Sequence, residues 1–412
     1  MTARRTPSAS KRGFAAAAWL LAVVLALPAP APAAKRLVKP SALSAFPSCA
    51  SLLGYARRNA RRTGGRTGVP TRAGVLDVQV LDRPVQSDAL QAPGAPAPQA
   101  AEGKSVTADA PSFSQTNVQE AGVDEPDIVK ADGRTVFAIA DGRLHAIDVT
   151  GARPRLVGTL HLDGAYGHQL LIRGNRLLVM SSSYGGVPIA ADVIIAASQV
   201  VLSEVDISDP ALMRVLRTMT IEGALVDARL TGGTARVVVG ASPDYIRPTA
   251  IASAPVRRFV PHTTLKSNVS GRTVRRSVVA CDDVRHPRRF SGLDLLTVLT
   301  IDLDKGLFDV DRDAIMASAQ TVYASTTGLY VASQRYVAAL ETGRSVPQRS
   351  RTEIHRFEAS RTGQTSYASS GSVAGFVLNQ YSLSEFDGAL RIASTEEPAW
   401  FDGASRPTAS PM

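Results

Sequence analysis

The sequence predicts an all-β chain arranged as a β-propeller. Two observations carry this. From residue 117 onward, short strand-like runs alternate with turns made of Gly, Asp and Asn. The runs also group into a loose tandem unit: a strand, a Gly-containing turn, an apolar strand, a variable insertion and a further strand. Val136–Val149, Leu170–Ile207, Val226–Leu303 and Val322–Phe357 are four copies. Small antiparallel sheets repeated in tandem have two apolar faces each and can cover them only against their neighbours, which is the logic of a propeller. A β-sandwich is the competing all-β arrangement.

Ahead of the propeller, residues 1–33 read as a signal peptide. Arg4, Arg5, Lys11 and Arg12 form a basic start, Phe14 to Leu27 is uncharged and apolar, and Ala31-Pro32-Ala33 fits a small-x-small cleavage pattern. The apolar run is short for a membrane span of about 20 residues; an uncleaved anchor is the alternative. Residues 34–115 read as a basic helix and flexible linker. Leu43, Phe46, Leu52, Leu53 and Tyr55 place the helix within 41–60, and the Gly, Pro, Ala, Arg and Ser of 62–115 cannot bury much. Val75 to Leu81 reads as a lone strand in that linker.

The propeller is assigned to 116–397. Hairpin turns are expected at Asp141-Gly142, Gly174-Asn175, Gly232-Gly233, Thr327-Gly328 and Asp387-Gly388. Strands are expected at Val200–Ile207, Leu295–Leu303, Arg351–Phe357 and Phe376–Tyr381, and an unstructured tail at 398–412.

The formal net charge of +10 does not belong to the propeller. It falls to +6 without the four basic residues of 1–33, and to −3 without the nine of 34–76. A basic segment in an exported chain would meet anionic lipid or wall polymer, so it makes a membrane-proximal position conceivable. Its arginines are not interleaved with stacking aromatics, which argues against nucleic acid. Export also governs how the two cysteines are read. In an oxidising compartment Cys49 and Cys281 suggest one structural disulfide; two separate buried thiols are the alternative.

Thr116-Asn117-Val118-Gln119, Gly122-Val123-Asp124-Glu125, Asp127-Ile128-Val129-Lys130 and Asp132-Gly133 resemble the opening of the secreted bacterial β-propeller domain family, distantly related to WD40 repeats. Cys281-Asp282-Asp283-Val284, Leu296 to Asp302, and Leu378 to Ser382 with Glu385 to Gly388 are similar to later segments of it. The resemblance implies an extracytoplasmic propeller and no particular reaction. Further blades follow the Asn379–Thr395 segment in that family. The resemblance therefore implies a truncated ring, about four blades and part of a fifth; a naturally short propeller is the alternative.

Asp124, Glu125 and Asp127 are the candidate metal residues, three carboxylates in four positions that would suit a hard cation such as Ca²⁺. The competing reading is that they satisfy backbone donors and fix the entry to the first blade. A second acidic stretch, Asp302 to Asp313, matches an EF-hand loop poorly, with Leu307 at the glycine position, and reads as a solvated turn. The insertion 241–292 carries ten Lys or Arg against three acids. Arg257, Arg258, Arg275, Arg276, Arg288 and Arg289 are its candidate polymer-binding residues. Nucleophile elbows, P-loops, zinc-protease motifs and dinucleotide fingerprints do not occur. Two functions remain. One is a binding or scaffold module outside the membrane, holding a protein or an anionic envelope polymer, with no cofactor required. The other is a hydrolase or lyase whose carboxylates, from blade-edge loops, converge near the channel with one pKa raised.

Overall fold

The computed structural model describes residues 43–62, 118–162, 164–190, 193–243, 253–288, 290–337, 349–359 and 363–396. The signal peptide, the linker with Val75–Leu81, the tail and Arg289 lie outside them. Among the described residues no helix is long and apolar enough to cross a membrane.

The chain opens with β1 (Ser44–Ala45) and α1 (Cys49–Arg62), then β2 (Val123–Asp124). The first blade is a four-stranded meander, β3 (Val129–Ala131), β4 (Thr135–Ala140), β5 (Arg143–Asp148) and β6 (Arg155–His161). The second is built on β7 (Tyr166–Arg173), β8 (Arg176–Ala190), β9 (Val193–Asp206) and β10 (Arg214–Glu222). β11 (Ala224–Thr231) and β12 (Thr234–Ala241) begin the third blade. The basic insertion follows, with β13 (His262–Ser267), β14 (Thr273–Ser277) and β15 (Val284–His286), before β16 (Leu295–Asp302) and β17 (Val310–Met316) complete the blade. The insertion serves two sheets. β13 pairs with β10 and so extends the second blade outward, ending in β14, while β15 runs parallel to β17 and carries β1 on its far side. The fourth blade is β18 (Thr321–Ala324), β19 (Gly328–Val337), β20 (Arg349–Ala359) and β21 (Thr365–Ala374). The hairpin β22 (Leu383–Phe386) and β23 (Ala389–Ile392) begins a fifth unit.

Side chains alternate across a strand, so each blade feeds two cores. Leu177 and Val179 of β8 pack with Phe137, Leu144 and Leu170 between the first and second blades. Their neighbours Leu178 and Met180 pack with Val237, Val239 and Leu299 between the second and third. Val238 turns the other way, joining Leu296, Val298, Leu329, Val331 and Phe357 between the third and fourth. Tyr330 and Ala332 then meet Ile354 and Leu383 of the fifth unit. Four successive interfaces of this kind make the array a propeller rather than a sandwich. At its two ends apolar side chains stand in solvent: Ile128, Val129 and Leu156 at one, Leu378, Tyr381 and Phe386 at the other.

All five expected hairpin turns are formed. Asp141 and Gly142 have φ of 49° and 68°, and Asp387 and Gly388 have 50° and 69°. A tight hairpin needs positive φ at both central residues, which is why Asp-Gly serves there. Three expectations shift. The helix begins at Cys49 rather than 41, because Ser44 and Ala45 pair with His286 and Arg285 as a strand. Ser48 and Ser51 then cap it reciprocally, each backbone N–H donating to the other's hydroxyl at 3.2 Å. Phe376–Tyr381 is not a strand. Phe376 makes a single bridge to Thr395, and Gln380–Ser382 form a 3-10 turn that Asn379 caps through the Tyr381 N–H. The acidic stretch is not one turn: Asp302 ends strand β16, and Asp311 and Asp313 lie on strand β17.

α1 lies against the third blade through Leu52, Ala56 and Ala60, which recur every fourth residue and are buried. Cys49 and Cys281 are joined in a disulfide across 232 residues, and His286 lies between the rings of Phe46 and Tyr55.

Candidate functional site

The segment that carries the family-like motif does not lie on a loop face. It runs along the inner edges of the blades and touches each in turn. Gln119 donates from Nε2 to the carbonyls of Gln380 and Leu383 in the fifth unit, at 3.1 and 2.9 Å. Tyr323 on β18 donates its hydroxyl to Glu120 at 2.6 Å. Val123 and Asp124, as β2, pair with Thr231 and Leu230 on β11. Asp127 exchanges both backbone hydrogen bonds with Leu170 on β7, at 3.3 and 2.7 Å. Val129 then opens β3 of the first blade. Fifth, fourth, third, second and first units are thus laced by one strap, residues 119–129.

The strap's charges are consumed where they stand. Lys130, 3% exposed, donates to Asp124 at 2.7 Å and to the Glu125 carbonyl at 2.6 Å. Arg229 on β11 is 2% exposed. It donates to the Ala228 and Val322 carbonyls and to the Gln380 side-chain oxygen, pairs with Asp227 at 2.7 Å and reaches Glu125 at 3.8 Å. Gln380 closes the circuit by donating to Glu125. Asp127 accepts from the Ile128 N–H at 2.7 Å. Buried charge is tolerated only when paired and hydrogen-bonded, and these groups are both. The structure therefore does not assemble Asp124, Glu125 and Asp127 as an open cation site. Among the described residues no group of three or more His, Cys, Asp or Glu is placed to hold a metal.

A second polar knot joins the fourth blade to the fifth unit. The Glu385 carboxylate accepts from Ser325, Thr327 and Tyr330, while its N–H donates to the Tyr323 oxygen at 2.6 Å. Burial would raise this carboxyl, but those hydroxyls and Arg356 outweigh it and hold it below the usual range. Burial, then acceptance by Glu385, pushes the Tyr330 hydroxyl up to about 12; burial and Glu120 push Tyr323 up as well.

The hydrolase reading requires two converging carboxylates. Among the described residues the carboxylate with a raised pKa is Asp313, pushed up to about 6 by burial and by Asp311, with Arg285 opposing. It lies on β17, four strands across the sheet from Asp124 on β2. At roughly 4.8 Å per strand that is about 19 Å. Asp304 turns toward Arg173 at 3.7 Å, and Asp302 pairs with Lys305. The acidic stretch and the strap are separate.

The basic insertion is also divided by the fold. Arg258 is buried in the 3-10 turn Val256–Arg258, because Phe259 and Val260 after it enter the core. That removes it from any solvent-facing patch. Arg257 and Arg288 are exposed at separate places. Arg275 and Arg276 lie on β14, an outermost strand whose five residues are all exposed. Arg272 is exposed in the turn before it. Arg275 pairs with Glu222 at 3.3 Å. Burial lowers the pKa of Arg312 on β17 to about 10; Arg276 adds to this, and Asp311 and Asp309 oppose it. Spacing in the sequence placed 275 and 276 on a basic insertion; it gave no sign that they would end a sheet.

A family model described as "Beta propeller domain" matches residues 113–410. The chain is similar to an uncharacterised protein of Archaeoglobus fulgidus, 28% identical over 244 residues, covering 56% of this chain and 34% of that protein. An uncharacterised protein of Methanocaldococcus jannaschii is 28% identical over 127 residues, covering 31% and 17%. The chain thus spans about a third or less of either relative. Among solved structures it is similar to a mutant Synechocystis apocarotenoid oxygenase (11% identity, 58% of this chain, 47% of that one, TM-score 0.23). A hypothetical selenium-binding protein from Sulfolobus tokodaii also matches (8% identity, 58% and 75%, TM-score 0.18).

Proposed function

The chain belongs to the beta propeller domain family, and from that premise we propose that it is an extracytoplasmic binding or scaffold module for an anionic envelope polymer. The observation that carries the proposal is β14: an outermost strand, exposed along its whole length, with Arg272, Arg275 and Arg276 at its start and centre. Its free backbone edge and its cations face solvent together. A polyanion lying along it would gain charge-assisted hydrogen bonds from these arginines. No aromatic interrupts the strand, which favours recognition of charge over stacking on bases. The Cys49–Cys281 disulfide and the basic, apolar leader pattern support a place outside the cytoplasm.

The test is titration of the full chain against immobilised dextran sulfate at low and high salt. Binding that weakens with salt and is lost in Arg272→Glu/Arg275→Glu/Arg276→Glu supports the proposal. Retained binding in that variant, or capture of a neutral protein through the open β14 edge with no polyanion binding, sinks it.

A further inference from the structure

The turns at one end of the second and third blades carry apolar side chains that the fold leaves in solvent. Leu212 is 74% exposed in the turn between β9 and β10. Val269 is 70% exposed between β13 and β14, and Phe308 is 75% exposed between β16 and β17. Contacts bring the three turns together. Asn268 donates from its N–H to the Leu216 carbonyl at 2.9 Å and from Nδ2 to the Val215 carbonyl at 3.0 Å. That sets the Val269 turn against the start of β10, beside the Leu212 turn. Arg217, next on β10, lies over the Phe308 ring at 6.0 Å from its centroid.

Each tip is held from behind. Asp209 accepts from the Ala211 N–H at 2.9 Å, and the Leu212 N–H donates to the Asp209 carbonyl at 3.0 Å. In the Val269 turn, Gly271 donates to the Ser267 carbonyl and Ser267 to the Arg272 carbonyl, both at 2.9 Å. Beside Phe308, Leu307 is buried and its N–H donates at 3.0 Å to Glu204, a buried carboxylate that also pairs with Arg176 and Arg217. The backbone of all three turns is thus fixed before any contact forms, and little ordering remains to oppose one.

The exposed charges around the tips cancel. Arg214 pairs with Asp206 at 3.1 Å, Arg173 with Asp304 at 3.7 Å and Lys305 with Asp302 at 3.1 Å. What else is exposed there, Lys266 and Arg272 against Asp209 and Asp309, balances too. Exposed apolar groups mark a protein or a membrane partner. A protein would need a separate pocket for each tip, since polar turns lie between them. A fluid headgroup layer admits them singly, and its own alternating charges match paired charges of both signs.

We propose that this end of the second and third blades docks on a zwitterionic phospholipid surface, with Leu212, Val269 and Phe308 entering the headgroup boundary. The contact is interfacial, because the turns carry backbone polar groups that the hydrocarbon core does not accept. It does not use the cations of β14 and so stands apart from the polymer reading.

The experiment uses the full chain carrying Phe308→Trp and vesicles of phosphatidylcholine with brominated acyl chains. Emission is read against the parent, so that Trp19, Trp400 and the apolar run Phe14–Leu27 contribute equally to both. The expected result is a blue shift with quenching, unchanged by salt and reached at the same lipid concentration whether or not phosphatidylglycerol is present. Adding Leu212→Asp/Val269→Asp should abolish both signals at an unchanged melting temperature, and the milder Leu212→Ala/Val269→Ala should weaken them. Tyr381→Trp, at a position as exposed as Val269 but in the fifth unit, should give neither. An unquenched indole at 308, equal quenching at 381, or a shift that needs anionic lipid and fades in salt overturns the proposal. So does a shift that appears without lipid and grows with protein concentration, since a second copy would then cover the tips. Dextran sulfate separates the two readings: polymer binding without vesicle contact overturns this inference alone, and vesicle contact without polymer binding overturns the polymer reading alone.

Discussion

The inner and outer edges of the blades are built from the same kinds of residue and put to different uses. At the inner edges, Lys130 and Arg229 are buried, every carboxylate near them is engaged, and the strap 119–129 ties five units together. At the outer edge of the second blade, Arg275 and Arg276 stand in solvent on a strand with one neighbour among the described residues, and Arg272 in the turn before it. Charge at the inner edge is structural because its partners are fixed and dry. Charge at the rim is available because its pairing is exposed and weak, as in Arg275–Glu222. A functional site is better sought where charge is unsatisfied than where it is most concentrated.

The sharpest way to break this contrast is Arg229→Ala. It strands Glu125, Asp227, the Val322 carbonyl and Gln380 without their donor. Removing one partner of a buried ionic network costs about 3–5 kcal/mol, to be read by urea denaturation. A loss below about 1 kcal/mol would mean that the hub does not hold the blades. Next is the clamp on the third blade: Cys49→Ser/Cys281→Ser should cost about 2–4 kcal/mol by the same assay, the typical range for a native disulfide.

Third, pH tests whether the surface between blades is dry. His355 is fully buried, neither ring nitrogen has a hydrogen-bond partner, and burial lowers its pKa from 6.5 to about 4. The unfolded chain takes up this proton at higher pH than the folded one. Stability from this group is therefore full above pH 6.5 and is lost as pH falls toward 4. Asp313, raised to about 6, acts in the opposite sense, since its neutral form is favoured in the folded state. The difference between parent and His355→Leu isolates the histidine: between pH 7 and pH 5 the parent should lose about 2 kcal/mol relative to the variant. Parallel pH profiles would contradict a dry interface. Smallest of all, Arg272→Glu/Arg276→Glu should move stability by no more than about 0.5 kcal/mol, as exposed rim positions do.

Much of the fold was legible. Asp141-Gly142 and Asp387-Gly388 mark hairpins because few other residue pairs accept their backbone angles, and alternation in runs such as Leu177–Met180 marks a blade interior. Both are local signals. The strap was not legible as a strap. Gln119 meets Leu383 across 264 residues, and nothing near Gln119 encodes that distance. Glu125 resembled part of a cation site because its partners, Arg229 and Gln380, are remote in sequence, whereas Asp124 is engaged by Lys130 only six residues on, a pairing the sequence alone did not single out. The basic insertion was visible as composition, but Arg258 is inside because Phe259 and Val260 after it enter the core, and Arg276 is outside because β14 ends its sheet.

The most direct test of a structural inner edge and a receptive rim is amide hydrogen exchange of the full chain, with and without dextran sulfate. Asp127 and Leu170, whose N–H groups are bonded between strap and blade, should exchange only with the slowest global class in both conditions. Amides of β14 should exchange fast in the free protein and slow down when the polymer is added. Fast exchange at Asp127 and Leu170, or a β14 strand that the polymer leaves unchanged, would contradict the account.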